Sequence, residues 1–418
     1  MRLFGFGTKL FQFVIWRARW LLLLIRQRVL EEGVLNLLSL TRSPPRPGAL
    51  LIGYIEAELG LGQSLRGLAT SLDAADVPFG IYPFHFNVSK KKSGPWHPEW
   101  YDRSHRYRAS IIEVSADQFP FAKGLISQSY LAGSYVILRV FWELPRAPES
   151  WRGNLAGVDE LWVPNTYVAD AFRHIFAGPI TVIPVCVDIG DLDPGPVEAP
   201  NDADSFNLLF SFDYNSSPER KNPLGVVHAF QLAFPAAEKN ARLVIKAHGE
   251  ASLHADTFAA IADASAADPR IVVIDKTMSR GELLALLRSA DCYVSLHRSE
   301  GFGLGMAEAM AMGKPVIGTN FSGNTQFLSE ETGFPVRFRL VDVPAGAYPF
   351  HEGMVWAEPD IAHAAELMRE VALERSSAAA RGLNGKALIS STFSPEAVGA
   401  ACLRRLDALG LLRDAGAA

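Results

Sequence analysis

Hydrophobic residues in this chain gather in short unbroken runs, separated by longer stretches with helical spacing. The runs at 49–55, 79–84, 110–114, 135–141, 160–163 and 181–184 are apolar at successive positions rather than at every second one. A strand with one wet face alternates, whereas a strand covered on both faces does not, so these read as strands of a parallel sheet between helices. The pattern repeats at 207–212, 242–246, 270–274, 292–296 and 315–319, interleaved with helical stretches at 223–234, 252–265, 280–289, 304–312 and 360–374. Such alternation predicts two doubly wound α/β domains, and 418 residues at roughly 100–200 per domain allow two. The expected divisions are an N-terminal segment and linker at 1–45, a first domain at 46–190, a linker at 191–205, a second domain at 206–394 and a closing helix at 395–418. Residues 87–108 read as a long irregular loop.

The richest stretch is 295–324. An apolar strand ends at Leu296, a turn follows through Gly301, Phe302, Gly303, Leu304 and Gly305, and a helix then runs until Gly313 stops it. A strand, a glycine turn and a helix start present free N–H groups and a partial positive charge, which suit a phosphate or sugar oxygens. Glu300 and Glu308 bracket the turn. Carboxylates repel phosphates, so beside a nucleotide they are suited to accept hydrogen bonds from hydroxyls of a ribose or hexose. Arg220 and Lys221 follow another strand and precede a helix beginning near Pro223, where adjacent cations could neutralise a diphosphate leaving group. His297 and Arg298 flank the strand end; Lys246 and His248 end a neighbouring strand, and Glu143 and Asp213 are weaker candidates of the same kind. Gly60 and Gly62 form a strand-to-helix turn in the first domain, where missing side chains permit close backbone approach. The ordinary alternatives are a solvated cation pair, an exposed helical glutamate and a plain turn.

Glu300-Gly-Phe-Gly-Leu with Glu308 resembles the E-x7-E signature of the retaining glycosyltransferases of family 4, which have the GT-B fold. Asp213 through Pro223 with Arg220-Lys221-Asn222, Phe141-Trp-Glu-Leu-Pro145, Asp159 through Pro164 and Ser322-Gly-Asn324 resemble pieces of one bacterial-type subgroup, from about residue 50 to about residue 395. The resemblance implies two Rossmann-like doubly wound domains facing across a cleft, with the closing helix packing back toward the first. It assigns Lys221 to the diphosphate, Glu308 to ribose hydroxyls and Glu300 to the donor sugar. The backbone of Phe302 and Gly303 would face the phosphates or hexose, and Gly60 and Gly62 the diphosphate and acceptor. The family's usual arginine lies several residues earlier, where this chain has Asn215 or Ser216, so Arg220 is a displaced substitute. The implied activity is transfer of a hexose, mannose being one candidate, from a nucleotide diphosphate sugar to a glycan or lipid-linked acceptor, with retention, in surface polysaccharide synthesis. Competing readings are a GT-B-like sugar-nucleotide epimerase and a non-catalytic scaffold of the same fold. No cofactor or metal is expected: Asp191 and Asp193 match D-x-D, but inside a Pro-flanked linker. A dinucleotide site is disfavoured because Gly60-Leu-Gly62 is followed by Gly67, two residues late for G-x-G-x-x-G.

Charge and composition refine the picture. Residues 1–46 carry eight Arg and Lys against Glu31 and Glu32, while the whole chain is at −5, so the remainder is at −11 and no nucleic-acid partner is suggested. Cys186, Cys292 and Cys402 are far apart and odd in number, which reads as buried packing residues in a reducing compartment. Within 10–30, no stretch reaches the ~20 apolar residues a spanning helix needs. Wound as a helix, Phe11, Val14, Ile15, Leu21, Leu22, Ile25 and Val29 form one stripe, with Gln12, Arg19, Arg26 and Gln27 opposite. That pattern suits a helix lying in a membrane interface through residues 9–30, with the protein cytoplasmic and at the inner face of the membrane; the alternative is an amphipathic helix packed on the protein body.

Deleting residues 1–45 is expected to leave a folded, soluble enzyme whose binding to vesicles containing anionic lipid drops sharply. Changing Arg19 and Arg26 to Glu should reproduce much of that loss, at about 1 kcal/mol per basic residue, in a vesicle sedimentation assay. Unfolding of the truncated chain, with vesicle binding indifferent to charge, would assign the helix to the core.

Overall fold

The computed structural model describes residues 44–84, 95–126, 128–190 and 205–413. The amphipathic segment, Lys90–Lys92 of the irregular loop, and the linker with Asp191 and Asp193 lie outside them. Fourteen strands lie in the described part: β1 Arg46–Gly53, β2 Phe79–Pro83, β3 Tyr107–Glu113, β4 Tyr135–Arg139, β5 Glu160–Val163, β6 Ile180–Val182, β7 Phe206–Asp213, β8 Ala241–His248, β9 Ile271–Asp275, β10 Cys292–Ser295, β11 Val316–Thr319, β12 Phe334–Val336, β13 Phe338–Asp342 and β14 Val355–Pro359. One sheet has the order β2-β1-β3-β4-β5-β6, another β12-β11-β10-β7-β8-β9, and β13 pairs with β14 as an antiparallel hairpin. The chain divides into two compact units. The first takes residues up to Val140, Ser150–Leu161 and everything from Ala401; the second takes Phe141–Glu149 and Trp162–Ala400.

In the first unit, β1 pairs in parallel with β2 and β3, and β3 with β4. The helix Gly60–Ala74 follows β1 and buries Leu65, Leu68, Ala69 and Leu72. Its entry loop is held by Arg66, whose Nη1 donates to the carbonyls of Ile55 (3.0 Å) and Ala57 (3.1 Å). At the strand ends Arg139 meets Glu113 at 2.7 Å, both fully buried, and donates to Ser64 Oγ at 2.9 Å. Burial pushes the Glu113 carboxyl up, against the pull of Arg139. The end of the chain belongs to this unit: Gly48 N donates to Leu411 O, and Arg405 makes a two-pronged ion pair with the buried Glu160 at 2.9 and 2.7 Å.

The second unit shows why its strands lack alternation. Leu208, Phe210 and Phe212 of β7 pack on one side with Leu243, Ile245, Val294 and the helices Pro223–Ala233 and Ile361–Leu373. Leu209, Val244, Tyr293 and Val316 pack on the other with Met306, Met310, Leu284 and Leu287. Successive side chains point to opposite faces, and both faces are covered. Strand order reverses direction between β7 and β10, and open α/β sheets bind ligands outside the carboxyl ends of their strands at such a switch point. The loops leaving β7 and β10 are 213–222 and 296–303.

Pattern reading missed the hairpin β13–β14 and the helix Arg375–Thr392. Among the described residues no helix is long and apolar enough to cross a membrane. The three cysteines are buried and in no disulfide.

Candidate active site

After β7 the chain makes two tight turns. Asp213 accepts a hydrogen bond from Asn215 N (2.9 Å), and Ser217 (φ 58°) and Asn222 (φ 56°) both lie in the left-handed region. Non-glycine residues there cost of order 1–3 kcal/mol and persist where the surroundings over-determine them. Asn222 shows how: its Oδ1 caps the helix Pro223–Ala233 by accepting from Gly225 N (3.2 Å), while its Nδ2 donates to Leu296 O (2.9 Å). One side chain thus fastens the loop after β7 to the end of β10. Arg298 N donates to Arg220 O at 2.7 Å and completes the attachment.

The fastening brings Arg220 and Lys221 onto Glu300. Lys221 Nζ lies 2.5 Å from Glu300 Oε1, and Arg220 Nη1 lies 3.2 Å from Oε2. Arg220 is 3% exposed and also donates to the carbonyls of Ser299 (2.7 Å) and Ser216 (3.1 Å). Burial alone would raise the Glu300 carboxyl, but Lys221 and Arg220 overcome it and hold the group down at about 2. Burial likewise opposes the charge on Arg220, and Glu300 and Glu143 outweigh it, so the guanidinium is held above its ordinary range. At Lys221 burial wins over the attraction of Glu300, with Arg220 adding repulsion, and the ammonium is held below its ordinary value.

The glycine turn is shaped by its neighbours. Gly303 has φ 93°, where a side chain is strained, and a Cβ there would fall 2.5 Å from Met306 Cε. A Cβ on Gly323 would lie 2.2 Å from Gly301 O, so the segment after β11 runs directly against the turn. Asn165 Nδ2 donates to Gly301 O at 2.7 Å, Ser322 Oγ accepts from Glu300 N at 2.8 Å, and Phe302 packs on Phe327 and Phe393. The helix Leu304–Ala311 that follows has no side-chain cap at its N-terminus, so its first N–H groups can serve a ligand. Leu304 is half-buried at its start.

Glu308, 2% exposed, pairs through Oε1 with Arg280 Nη1 at 2.5 Å, and Arg280 Nη2 donates to Asp188 O at 3.0 Å. Arg280 escaped the sequence reading. The signal was present: it follows the capping serine of a helix, where a cation opposes the helix dipole and so implies a partner. Tyr348, Tyr167 and Asn165 were also missed, because they reach the site from distant segments.

His297 and Arg298 are engaged within the protein. Asn324 Nδ2 donates to Thr319 O (2.8 Å), so its Oδ1 faces His297 Nε2 at 3.0 Å. That orientation places the ring proton on Nε2 and leaves Nδ1 to accept from Ser295 Oγ (3.0 Å). Burial disfavours the charged imidazolium and lowers the His297 pKa, against the pull of Glu300. Arg298 is gripped by both oxygens of Glu358, at 2.7 and 3.0 Å. Lys246 meets His248 Nδ1 at 3.0 Å, and His248 Nε2 lies 3.5 Å from Asp213. Burial lowers Lys246 to about 8, against the pull of Asp213 and Asp275. Gly60 and Gly62 open the first unit's helix; a Cβ on Gly62 would lie 2.3 Å from Ala57 O, while Gly60 has open space. Among the described residues, no group of three or more His, Cys, Asp or Glu could hold a metal ion.

The segment that holds most of these residues is similar to known proteins. Residues 209–345 match the family described as glycosyl transferases group 1. Over 123 residues the chain is 30% identical to human alpha-1,3/1,6-mannosyltransferase ALG2, a stretch covering 29% of this chain and 24% of that protein. The chain therefore spans about a quarter of the length of this curated relative. Among solved structures, sucrose-phosphate synthase from Thermosynechococcus elongatus superposes with a TM-score of 0.62 at 15% identity, covering 87% of this chain and 99% of the other. Anabaena Alr3699/HepE in complex with UDP and glucose gives 0.59 at 14% identity, covering 87% and 100%. The two parallel-sheet α/β units have the GT-B fold of these glycosyltransferase neighbours.

Glu300 generates a pH prediction. It is ionised in the folded protein down to about pH 2, whereas an ordinary glutamate takes up its proton near 4.5. Its contribution to stability is complete above about pH 4.5 and is lost as the pH falls toward 2. Glu300→Gln should cost about 3–5 kcal/mol at neutral pH, because two buried cations lose their partner. Denaturant unfolding at a series of pH values should show the parent and variant curves converging toward pH 2. Curves that stay parallel would contradict the ion-pair account.

Proposed function

We propose that this protein is a retaining GT-B glycosyltransferase of the family 4 type, which moves a hexose from a nucleotide diphosphate sugar to a glycan or lipid-linked acceptor. The observation that carries the reading is the cluster of Arg220, Lys221 and Glu300 at the switch point of the second sheet, inside the segment that matches glycosyl transferases group 1. Both cations lie against Glu300, and a diphosphate that took its place on Lys221 would meet the same charge. Lys221, more exposed than Arg220 at 19% of its side chain, would swing from Glu300 onto the phosphates, and the uncapped helix start at Leu304 would add N–H donors. Glu308, oriented by Arg280, would accept from a ribose hydroxyl.

Charge developing on the leaving diphosphate is stabilised by fixed cations, and the departing phosphate can take the proton of the attacking hydroxyl on the same face, which gives retention. This scheme calls on no metal. Human ALG2 is named a mannosyltransferase and Alr3699/HepE was solved with UDP and glucose; both support a nucleotide diphosphate hexose as donor, with mannose and glucose as candidates. The basic amphipathic segment supports an acceptor at the inner face of a membrane and a role in surface glycan synthesis.

Glu308→Ala should weaken donor binding by roughly 1.5–3 kcal/mol, the range for a hydrogen bond to a charged group. Calorimetric titration with the nucleotide sugar checks this, and equal affinity in variant and parent would remove Glu308 from the site. In turnover assays Lys221→Ala should lower kcat more than it raises KM, because charge on the diphosphate peaks in the transition state. Parent turnover should persist in EDTA. A change confined to KM, or loss of activity to the chelator, would point to another way of handling the leaving group.

A further inference from the structure

Glu143 takes no part in the scheme above, yet it is held from several sides. Its carbonyl accepts hydrogen bonds from Tyr167 Oη at 2.9 Å and from Ser299 Oγ. Its Oε2 accepts from Tyr348 Oη at 2.5 Å. Its Oε1 lies 4.0 Å from Arg220 Nη2 and accepts no hydrogen bond among the described residues. Arg220 cannot close that gap freely, since it already serves the carbonyls of Ser299 and Ser216 and the Glu300 carboxylate. The side chain of Glu143 is 24% exposed. A carboxylate is thus fixed beside the cation cluster, with one oxygen partly exposed and accepting no hydrogen bond from the described residues.

The surroundings specify the chemistry of that ligand. Tyr348 lies in the loop between β13 and β14; its ring stands edge-on to Trp142 at 5.6 Å and beneath the Arg220 guanidinium at 5.8 Å. Phe350 packs on Trp142 at 6.4 Å, is 42% exposed, and is held at φ 55°, a conformation that a bulky residue adopts only under constraint. Aromatic faces beside a carboxylate suit a pyranose ring, which offers a C–H face to the rings and a hydroxyl to the oxygen. A phosphate is excluded at Oε1 by charge.

We propose that Glu143, oriented by Tyr348, accepts a hydrogen bond from a hydroxyl of the donor's hexose, with Tyr348 and Phe350 forming the wall beside the ring. The proposal rests on the nucleotide-sugar reading and makes Glu143 a specificity residue for the sugar as distinct from the nucleotide.

The test compares UDP with UDP-glucose and GDP with GDP-mannose, by calorimetric titration of the full chain. For the pair that binds, Glu143→Ala should weaken the nucleotide sugar by about tenfold or more, as for loss of a charged hydrogen bond, and leave the nucleoside diphosphate within about twofold. Tyr348→Phe keeps the carboxylate but frees Oε2, so it should give a smaller loss, again confined to the nucleotide sugar. Glu143→Gln preserves the volume and carries the comparison if the alanine variant does not fold. Equal losses for diphosphate and nucleotide sugar would overturn the proposal, because Glu143 would then act through the Arg220 cluster. No loss for either would overturn it too. A parent that binds none of the four would overturn the nucleotide-sugar reading and this one with it, whereas a parent that binds them with Glu143 silent would overturn only this one.

Discussion

Glu300, buried between Lys221 and Arg220, is the interaction on which the second unit's functional edge depends. Burying any one of the three charges alone would cost several kcal/mol. Burying them together requires the loops after β7 and β10 to stay within a few ångströms of each other. Each device found nearby serves that end: the left-handed Asn222 bridging to Leu296, the peptide contact between Arg298 and Arg220, and the hydroxyl of Ser322 on Glu300 N. Glu143, at 4.0 Å from Arg220, adds a second carboxylate beside the two cations.

That arrangement rests on a sheet covered on both faces. Phe210 and Leu209 face opposite cores, so the strand that carries the first loop is packed on both sides. The strand order sets the two loops side by side, and the residues that they carry are presented by backbone geometry. Tyr348 differs, being supplied by the two-stranded hairpin β13–β14, whose exposed Leu340 and Phe338 contribute little to either core.

How much was legible in the sequence follows from the same physics. Strands such as β7 and β10 were readable because double-sided burial demands unbroken apolar runs, and the helix Arg280–Ser289 because Ser279 and Glu282 form its capping box. The glycine turn was readable because Gly303 needs a positive φ. The helix Arg375–Thr392 was not: it carries Gly382 and Gly385, poor helix formers, whose missing side chains let it lie against Gly313 O and Thr332 O. The hairpin was hidden because its burial pattern has no clean alternation. At the site, Lys221, Arg220, Glu300 and Glu308 announced themselves through local motifs. Arg280 lies 28 positions from Glu308, Glu143 lies 77 from Arg220, and Tyr348 lies 205 from Glu143, and no local pattern encodes such meetings. His297 and Arg298 carry residue types suited to ligands, but Asn324 and Glu358 take up their polar groups.

The central claim is that a nucleotide diphosphate sugar is held at the carboxyl ends of β7 and β10. Hydrogen–deuterium exchange of the full chain, with and without saturating UDP-glucose or GDP-mannose, tests it most directly. The account predicts ligand-dependent protection concentrated in residues 213–222 and 299–308, with the strands beneath them already protected and unchanged. Saturable binding with protection confined to other segments, leaving both loops unaffected, would contradict it.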